Sequence, residues 1–516
     1  MNETVRRKRG GGRSGNTRRS GSALVQPPWR LLELLDAPTE PLTADGVAAV
    51  DHGAMRILEE IGIDFLHPDA KVALKAAGAD VDPCSDRVRF DRAMVRELVA
   101  KAPSQFEITP RNPSRTITIG GRHQVYGNVS SPPNFSDLEG GRRAGTQAAF
   151  RDFLRLTQYF NCIHLSCGYP VEPVDLHAST RHLDCLRDKL VLTDKVCHAY
   201  CLGTERIEDG MEMVRLAAGL SHEEFEATPR MFTNINSSSP LKHDWPMLDG
   251  AMRMAHRNQP VIVTPFTLAG AMAPVTLAGA VTQQTAEGLA AIVLLQAIRP
   301  GCPVVMGSFT SNVDMRSGAP AFGTPEYMRA TQMSGQMARF YGLPLRATNA
   351  CAANCPDAQA AWESAFSLWA ITSGHANLVY HAAGWLEGGL CASFEKFVMD
   401  CETLQQLIAY NQPVGVTEAD IAVDAIAEVG PTGHFFGATH TQDRYETAFY
   451  APFLSDWRNF ETWAETGGIR TPQRANAIYK QIVAEFEEPE MDPGIREGLD
   501  DFVARRKAEG GAPTDF

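Results

Sequence analysis

The chain has 516 residues, 44% of them hydrophobic and 21% charged, so it has material for a large core and is not disordered as a whole. A net charge of −13 excludes the body as a nucleic-acid binder, and the eleven cysteines, scattered along a long chain, argue for reduced thiols rather than a disulfide scaffold.

Charge is unevenly placed. Residues 1–22 hold seven basic residues against Glu3, a balance of +6, which leaves −19 for residues 23–516. This Gly- and Ser-rich stretch reads as a disordered basic arm, and no apolar run follows Arg6 and Arg7 to make it an export signal. Helical spacing is expected at 43–61, 68–77 and 91–101, and short strands at 88–90, 106–109 and 116–119. Residues 23–122 are therefore expected to form an α+β cap.

From residue 123 to 411 short apolar runs alternate with helical patterns eight times. The runs are 123–127, 162–167, 196–202, 230–236, 260–266, 303–309, 345–349 and 377–382. Helical patterns such as 146–160, 205–219, 288–298 and 356–373 follow them. This alternation predicts an α/β fold with a parallel sheet covered by helices, and eight repeats over roughly 250 residues predict a (β/α)8 TIM barrel. Thr146 and Thr324 are expected helix N-caps, with Pro325 at a first helical position and Pro356 in the same role. The uncharged stretch 259–285 is broken by Pro260, Pro265 and Pro274, so strand, loop and helix start are expected there, not a membrane span. Residues 412–516 are expected to form a C-terminal helical extension. The chain is expected to be soluble and cytoplasmic.

A barrel places its reactive groups in the loops after the strands. The segment 307–323 after the sixth strand is long for such a loop, and its Arg316 can hold a carboxylate by two parallel hydrogen bonds or can pair with Asp314 to order the loop. Aromatic residues recur past the strand ends at Tyr126, Tyr169, Phe266, Phe309 and Trp385. Converging rings can cage a quaternary ammonium, and single rings can equally be packing. Asn349, Asn354, Asp357, Gln359 and Glu363 gather around the seventh strand end, and His381 lies near the end of the eighth. His164 and His198 lie within strands two and three, either lining the cavity or satisfied in the core. Cys197-His198 with Cys201, and Cys351 with Cys355, are loose thiol groupings without the paired spacing of a structural zinc site. The Gly388-Gly389 pair is a weak phosphate signal.

Several blocks carry a resemblance: Ala54-Met55-Arg56-Ile57-Leu58-Glu59-Glu60-Ile61-Gly62, residues 121–137, the Asp-Met-Arg-Ser-Gly and Gly-Thr-Pro-Glu of 308–326, and Pro356-Asp357-Ala358-Gln359-Ala360 with Glu363. They make the chain resemble the trimethylamine methyltransferase family, specifically members without pyrrolysine such as the glycine betaine methyltransferases. The resemblance implies a methyltransferase that moves a methyl group from a quaternary amine, glycine betaine or a related betaine, to the Co(I) of a cognate corrinoid protein. It implies no tightly bound cofactor, a corrinoid carried by the partner, a homo-oligomer, and no general acid or nucleophile. By resemblance Tyr126, Phe266 and Phe309 are expected cage residues, Arg316 the carboxylate anchor, and Asn349, Asn354 and His381 polar wall residues. The alternatives are a zinc-dependent barrel methyltransferase with a thiol acceptor, and a non-catalytic betaine-binding barrel.

Overall fold

The computed structural model describes residue 24 and residues 26–514, so the basic arm lies outside the described residues. Eight parallel strands form the centre: β1 His123–Asn128, β2 Leu165–Ser166, β3 Val196–Cys197, β4 Thr233–Ile235, β5 Val261–Val263, β6 Val304–Gly307, β7 Leu345–Thr348 and β8 Leu378–Ala383. Each falls within or against one expected run, mostly shorter. The strands pair in the order β3-β2-β1-β8-β7-β6-β5-β4, so every neighbour in the sheet is a neighbour in the eightfold count. The two ends meet in a parallel bridge between His198 and Phe232. There Phe232 N donates to the Cys197 carbonyl (3.3 Å) and Ala199 N to the Phe232 carbonyl (3.2 Å).

Both faces of this curled sheet are buried, which is why its strands read as nearly continuous apolar runs. Alternate residues split between two clusters. Val125, Val196, Ile262, Val305 and Leu378 pack inside the curl. Tyr126, Val261, Val263, Val304, Met306 and Val379 face outward to the helices. Ile108, Ile117 and Ile119, from the antiparallel pair Gln105–Ile108 and Ile117–Gly120, join the inner cluster, and Trp29 and Leu31 pack on it. This pair feeds directly into β1, so it stops the N-terminal end of the curl.

The segment before β1 also builds a sheet of Asp80–Val81, Arg87–Arg89 and Ile63–Phe65, extended by Lys242–His243 from the span between β4 and β5. Helix Ala44–Arg56 is capped by Thr43, continues as a π-helical turn through Ile61, and lies on helix Leu277–Ile298. That 22-residue helix begins well before the expected start at residue 288 and is buried on nearly all sides. Thr146 and Thr324 cap their helices as expected. The helix after β7 differs: it spans Ala358–Ser373, and Asp357, not Cys355, is the N-cap, accepting from Gln359 N and Ala360 N. A carboxylate satisfies two free amides where a thiol cannot, so Pro356 falls just outside the helix.

At the far end of the chain, helix Thr471–Ala484 packs on Phe394–Tyr410 and Gln147–Tyr159, and helix Pro493–Ala508 packs on Arg181–Leu192 and Thr204–Ala217. Among the described residues no helix is long and apolar enough to cross a membrane.

Candidate active site

A cavity of about 340 Å³ opens at the C-terminal ends of the strands. That is the lower end of the usual range for small-molecule sites, about 300–1,000 Å³, and suits a compact ligand. Its walls come from the ends of most strands: Ser130 and Ser131 after β1, His198 and Tyr200 after β3, Asn234 on β4, Phe266 after β5, Phe309 after β6, Arg346 on β7, and Tyr380, His381 and Trp385 on and after β8.

One side is aromatic. The Phe266 and Phe309 rings lie 4.7 Å apart at 54°, and Phe309 stands 6.2 Å from Trp385 in an edge-on arrangement. Trp385 in turn has its centroid 4.0 Å from the His381 ring. These rings are held in place because the segment 307–323, expected to be an extended loop, is partly a hairpin. Phe309–Val313 pairs in parallel with Phe266–Ala269 and antiparallel with Pro320–Ala321, and the register places Phe266 beside Phe309.

His381 reaches the cavity through strained backbone. Its φ is +53°, where the pairing of β8 with β1 slips register between Val379 and Ala383. A bulge of this kind re-aims a side chain, and left-handed backbone in a non-glycine residue is kept where surroundings enforce it. Ser130 N donates to His381 Nδ1 at 3.0 Å, which assigns the proton to Nε2. Burial pushes the pKa of His381, and likewise of His198, well below the usual imidazole value, so both are neutral near pH 7. Asn234 N donates to His198 Nε2 at 3.3 Å, leaving Nδ1 as its N–H.

The other side holds a charge that the sequence reading passed over. Arg346 is 3% exposed on β7, facing inward between the outward Leu345 and Ala347. Its guanidinium carbon lies 4.5 Å from the Tyr380 ring centroid and 5.5 Å from that of Phe309. Among the described residues its guanidinium makes one long hydrogen bond, Nη1 to the Ser308 carbonyl at 3.5 Å, and Nε has no partner. Burial lowers its pKa, opposed by the Tyr380, Tyr327 and Cys167 groups nearby. Tyr380 OH, His198 Nδ1 and Trp385 Nε1 are also buried without partners. Buried polar atoms normally find one, so four orphans on one cavity mark the place of a polar ligand. Among the described residues the lining contains no Asp or Glu.

The expected site residues are thus divided. Phe266, Phe309 and His381 line the cavity, as do His198 and Trp385. Tyr126 does not: the strand's two-residue period sends Val125 inward and Tyr126 outward, where its hydroxyl donates to Gln124 Oε1 at 2.8 Å. His164 faces the same outer layer, 5.8 Å from the Tyr126 ring. Arg316 is exposed at the hairpin turn and is not a lining residue. The turn is ordered around Asp314, which accepts from Arg316 N (3.2 Å) and the Ser317 hydroxyl (2.6 Å). Asn349 is buried and ties β7 to β8 by donating from Nδ2 to the Ala382 carbonyl (3.0 Å), while Asn354 is exposed in the following loop. Glu363 organises that loop, its Oε2 accepting from Ala352 N (2.8 Å) and Ala353 N (3.0 Å).

The thiols weighed as metal ligands do not assemble. Among the described residues no group of three or more His, Cys, Asp or Glu side chains is placed to hold an ion. Burial pushes the Cys197 thiol up to about 11 and Cys351 to about 12. Gly388 and Gly389 sit at the lip of the same cavity.

A family model described as trimethylamine methyltransferase (MTTB) matches residues 8–511. The glycine betaine methyltransferase of Desulfitobacterium hafniense (strain Y51) is 37% identical over 471 residues, covering 91% of this chain and 98% of the relative. The proline betaine:corrinoid methyltransferase of Eubacterium limosum is 28% identical and covers 87% and 94%. The monomethylamine methyltransferase (MtmB) structure from Methanosarcina barkeri aligns with a TM-score of 0.50 at 11% identity, over 91% of this chain and 90% of that one, a likeness of fold alone. A match across nearly the whole length, on a curled parallel sheet with an aromatic cavity at its C-terminal end, makes this chain a member of the trimethylamine methyltransferase family.

Proposed function

We propose that this chain moves a methyl group from a betaine, best matched by glycine betaine, to the Co(I) of a corrinoid carried by a separate protein. The observation that carries this reading is a ring-lined wall facing one buried guanidinium that has a single long hydrogen bond and a free Nε, with no carboxylate in the lining among the described residues. A bare cation finds no counter-charge there and meets repulsion from Arg346. A zwitterion brings its own anion, which the guanidinium can hold with two hydrogen bonds. The guanidinium lies only 5.5 Å from the Phe309 ring, which favours a ligand whose carboxylate sits one carbon from its ammonium over longer trimethylammonium acids such as carnitine.

The bridge between His198 and Phe232 supports reading the eight strands as a closed (β/α)8 barrel. The acceptor cobalt is a co-substrate and supplies the nucleophile. The tasks left to this chain are to bind, orient and keep water out. As the methyl carbon is taken, the C–N bond breaks and its electron pair stays on nitrogen, giving a neutral tertiary amine. The leaving nitrogen needs no proton, so the neutral His381 and His198 need not act as acids. Rings hold the cation without offering a competing nucleophile, and positioning against the acceptor supplies the rate. The eleven free cysteines agree with a reducing, cytoplasmic setting.

The test is methylation of a Co(I) corrinoid protein, followed by its absorption spectrum, with glycine betaine, proline betaine, carnitine, choline and trimethylamine as donors. Glycine betaine as the best donor supports the reading. Trimethylamine or choline as the best donor, or betaine binding with no methyl transfer to any corrinoid protein, overturns it.

A further inference from the structure

Among the described residues, two neighbouring apolar surfaces lie uncovered. The first is a stripe on helix Ala358–Ser373, where Trp362, Phe366 and Trp369 sit at spacings of four and three and are each about half exposed. Tyr410, at the end of helix Phe394–Tyr410, extends the stripe with its ring 5.5 Å from Trp369. Beside it a cavity of about 170 Å³, room for one large side chain, has an apolar side of Leu34, Trp369 and Tyr410 and a polar side that includes Asp36, His375 and Asn411.

The second surface is the excursion that leaves the body right after Tyr410 and returns at Tyr450, whose hydroxyl bonds Glu402 at 3.0 Å. Its helices are short, Glu418–Ile421, Val423–Val429 and Thr439–Gln442. Its hydrogen bonds run within the excursion, as from His440 Nε2 to the Ala419 carbonyl and from Gln442 to the Phe436 carbonyl. It buries Ala425 and Ala438 yet leaves Val414 86%, Phe436 82% and Phe449 85% exposed.

Neither surface covers the other within one chain. The four stripe aromatics alone leave roughly 400 Å² bare, taking about 150–250 Å² per ring at half exposure, and the excursion adds at least as much. The sum reaches the roughly 800 Å² per partner of a standard interface. Because the excursion is rooted at the edge of the stripe, a two-fold axis beside Tyr410 lets each copy lay its excursion over the other's stripe. We infer that this chain forms a two-fold dimer in which residues 413–449 of each copy cover the stripe around Trp362, Phe366 and Trp369 of the other, with an aromatic side chain of the excursion filling the cavity beside Tyr410.

The experiment is sedimentation velocity on the full chain and on two double variants, W362D/F366D in the stripe and F436D/F449D in the excursion. The wild type is expected as a dimer at micromolar concentration and each variant as a monomer with unchanged circular dichroism. Mixing the two variants restores a weaker dimer, because one of the two symmetric contacts is intact in the mixed pair. A monomeric wild type, variants that stay dimeric, or two monomers that do not recombine overturns the arrangement. Should a variant lose its fold, Phe436→Cys with Trp369→Cys gives the second readout: mild oxidation must link two chains on a denaturing gel above the wild-type background. A link confined within one chain overturns the exchange. Variants that remain dimeric but no longer react with the corrinoid protein would assign the stripe to that partner instead.

Discussion

Replacing Arg346 with Met separates ligand binding from fold stability in a way a structural arginine cannot. The side chain is 3% exposed and, among the described residues, meets no carboxylate, so in the ligand-free protein its desolvated charge is offset only by one long hydrogen bond to Ser308 and the faces of Tyr380 and Phe309. Two unit charges about 4 Å apart interact by roughly 4 kcal/mol at an effective dielectric near 20, and truncating one member of a buried pair costs about 2–5 kcal/mol. Taking about 3 kcal/mol, Arg346→Met raises the Kd for glycine betaine by about two orders of magnitude. The same change removes the repulsion of a bare cation, so choline binds more tightly than to the wild type and the preference narrows from both sides. The melting temperature of the free protein holds or rises, since burying a methionine there is no harder than burying an unpaired guanidinium. Arg346→Lys keeps the charge but loses the planar fork, and falls in between. Calorimetric titration with both ligands and a melt of the free protein supply the three readings. A betaine Kd within threefold of wild type, or a large fall in melting temperature with binding retained, refutes the anchor.

Trp385→Leu keeps an apolar wall but removes a ring face; at about 2 kcal/mol for a desolvated cation–π contact, the betaine Kd rises roughly 30-fold. An unchanged Kd removes Trp385 from the cage. Arg316→Ala, at the exposed hairpin turn, leaves the betaine Kd within twofold, and a tenfold rise restores it as the anchor. Glu363→Ala strips the acceptor from Ala352 N and Ala353 N, lowering stability by about 2 kcal/mol, read as a lower denaturant midpoint. Four buried histidines set a pH dependence: burial holds His164 at about 4, His198 and His381 well below 6.5, and His243 below it. Below pH 6.5 the unfolded chain takes up protons the native state refuses, so stability falls with acidification by up to about 1.4 kcal/mol per pH unit for each histidine. A flat melting temperature between pH 6.5 and 5 contradicts this.

The strands were legible because parallel strands buried on both faces must be apolar throughout, and proline and glycine mark their ends. What that same uniformity hides is which way each residue points. Tyr126 and Val125 are equally apolar, and only the pairing of β1 with β2 and β8 decides that the valine faces in. Arg346 did carry a signal: an arginine second in a run of Leu-Arg-Ala-Thr must be buried if the run is a strand, and buried arginines are seldom idle. Arg316 drew attention instead because its loop is long, yet much of that length is hairpin that sets Phe309 beside Phe266. The left-handed backbone of His381 arises from a slip between β8 and β1, a long-range event that no local pattern records.

The stopper formed by Gln105–Ile108, Ile117–Gly120 and Trp29 has a kinetic meaning. With that end shut, the cavity opens at the ends of the strands, and under the proposed function the corrinoid protein stands there to reach the methyl group. The amine therefore has to enter before the protein partner arrives, and the demethylated amine stays trapped until the partner leaves. Turnover of that kind is ordered by geometry, so if the proposed function holds, an excess of corrinoid protein is expected to slow the reaction by sealing empty sites against their own substrate.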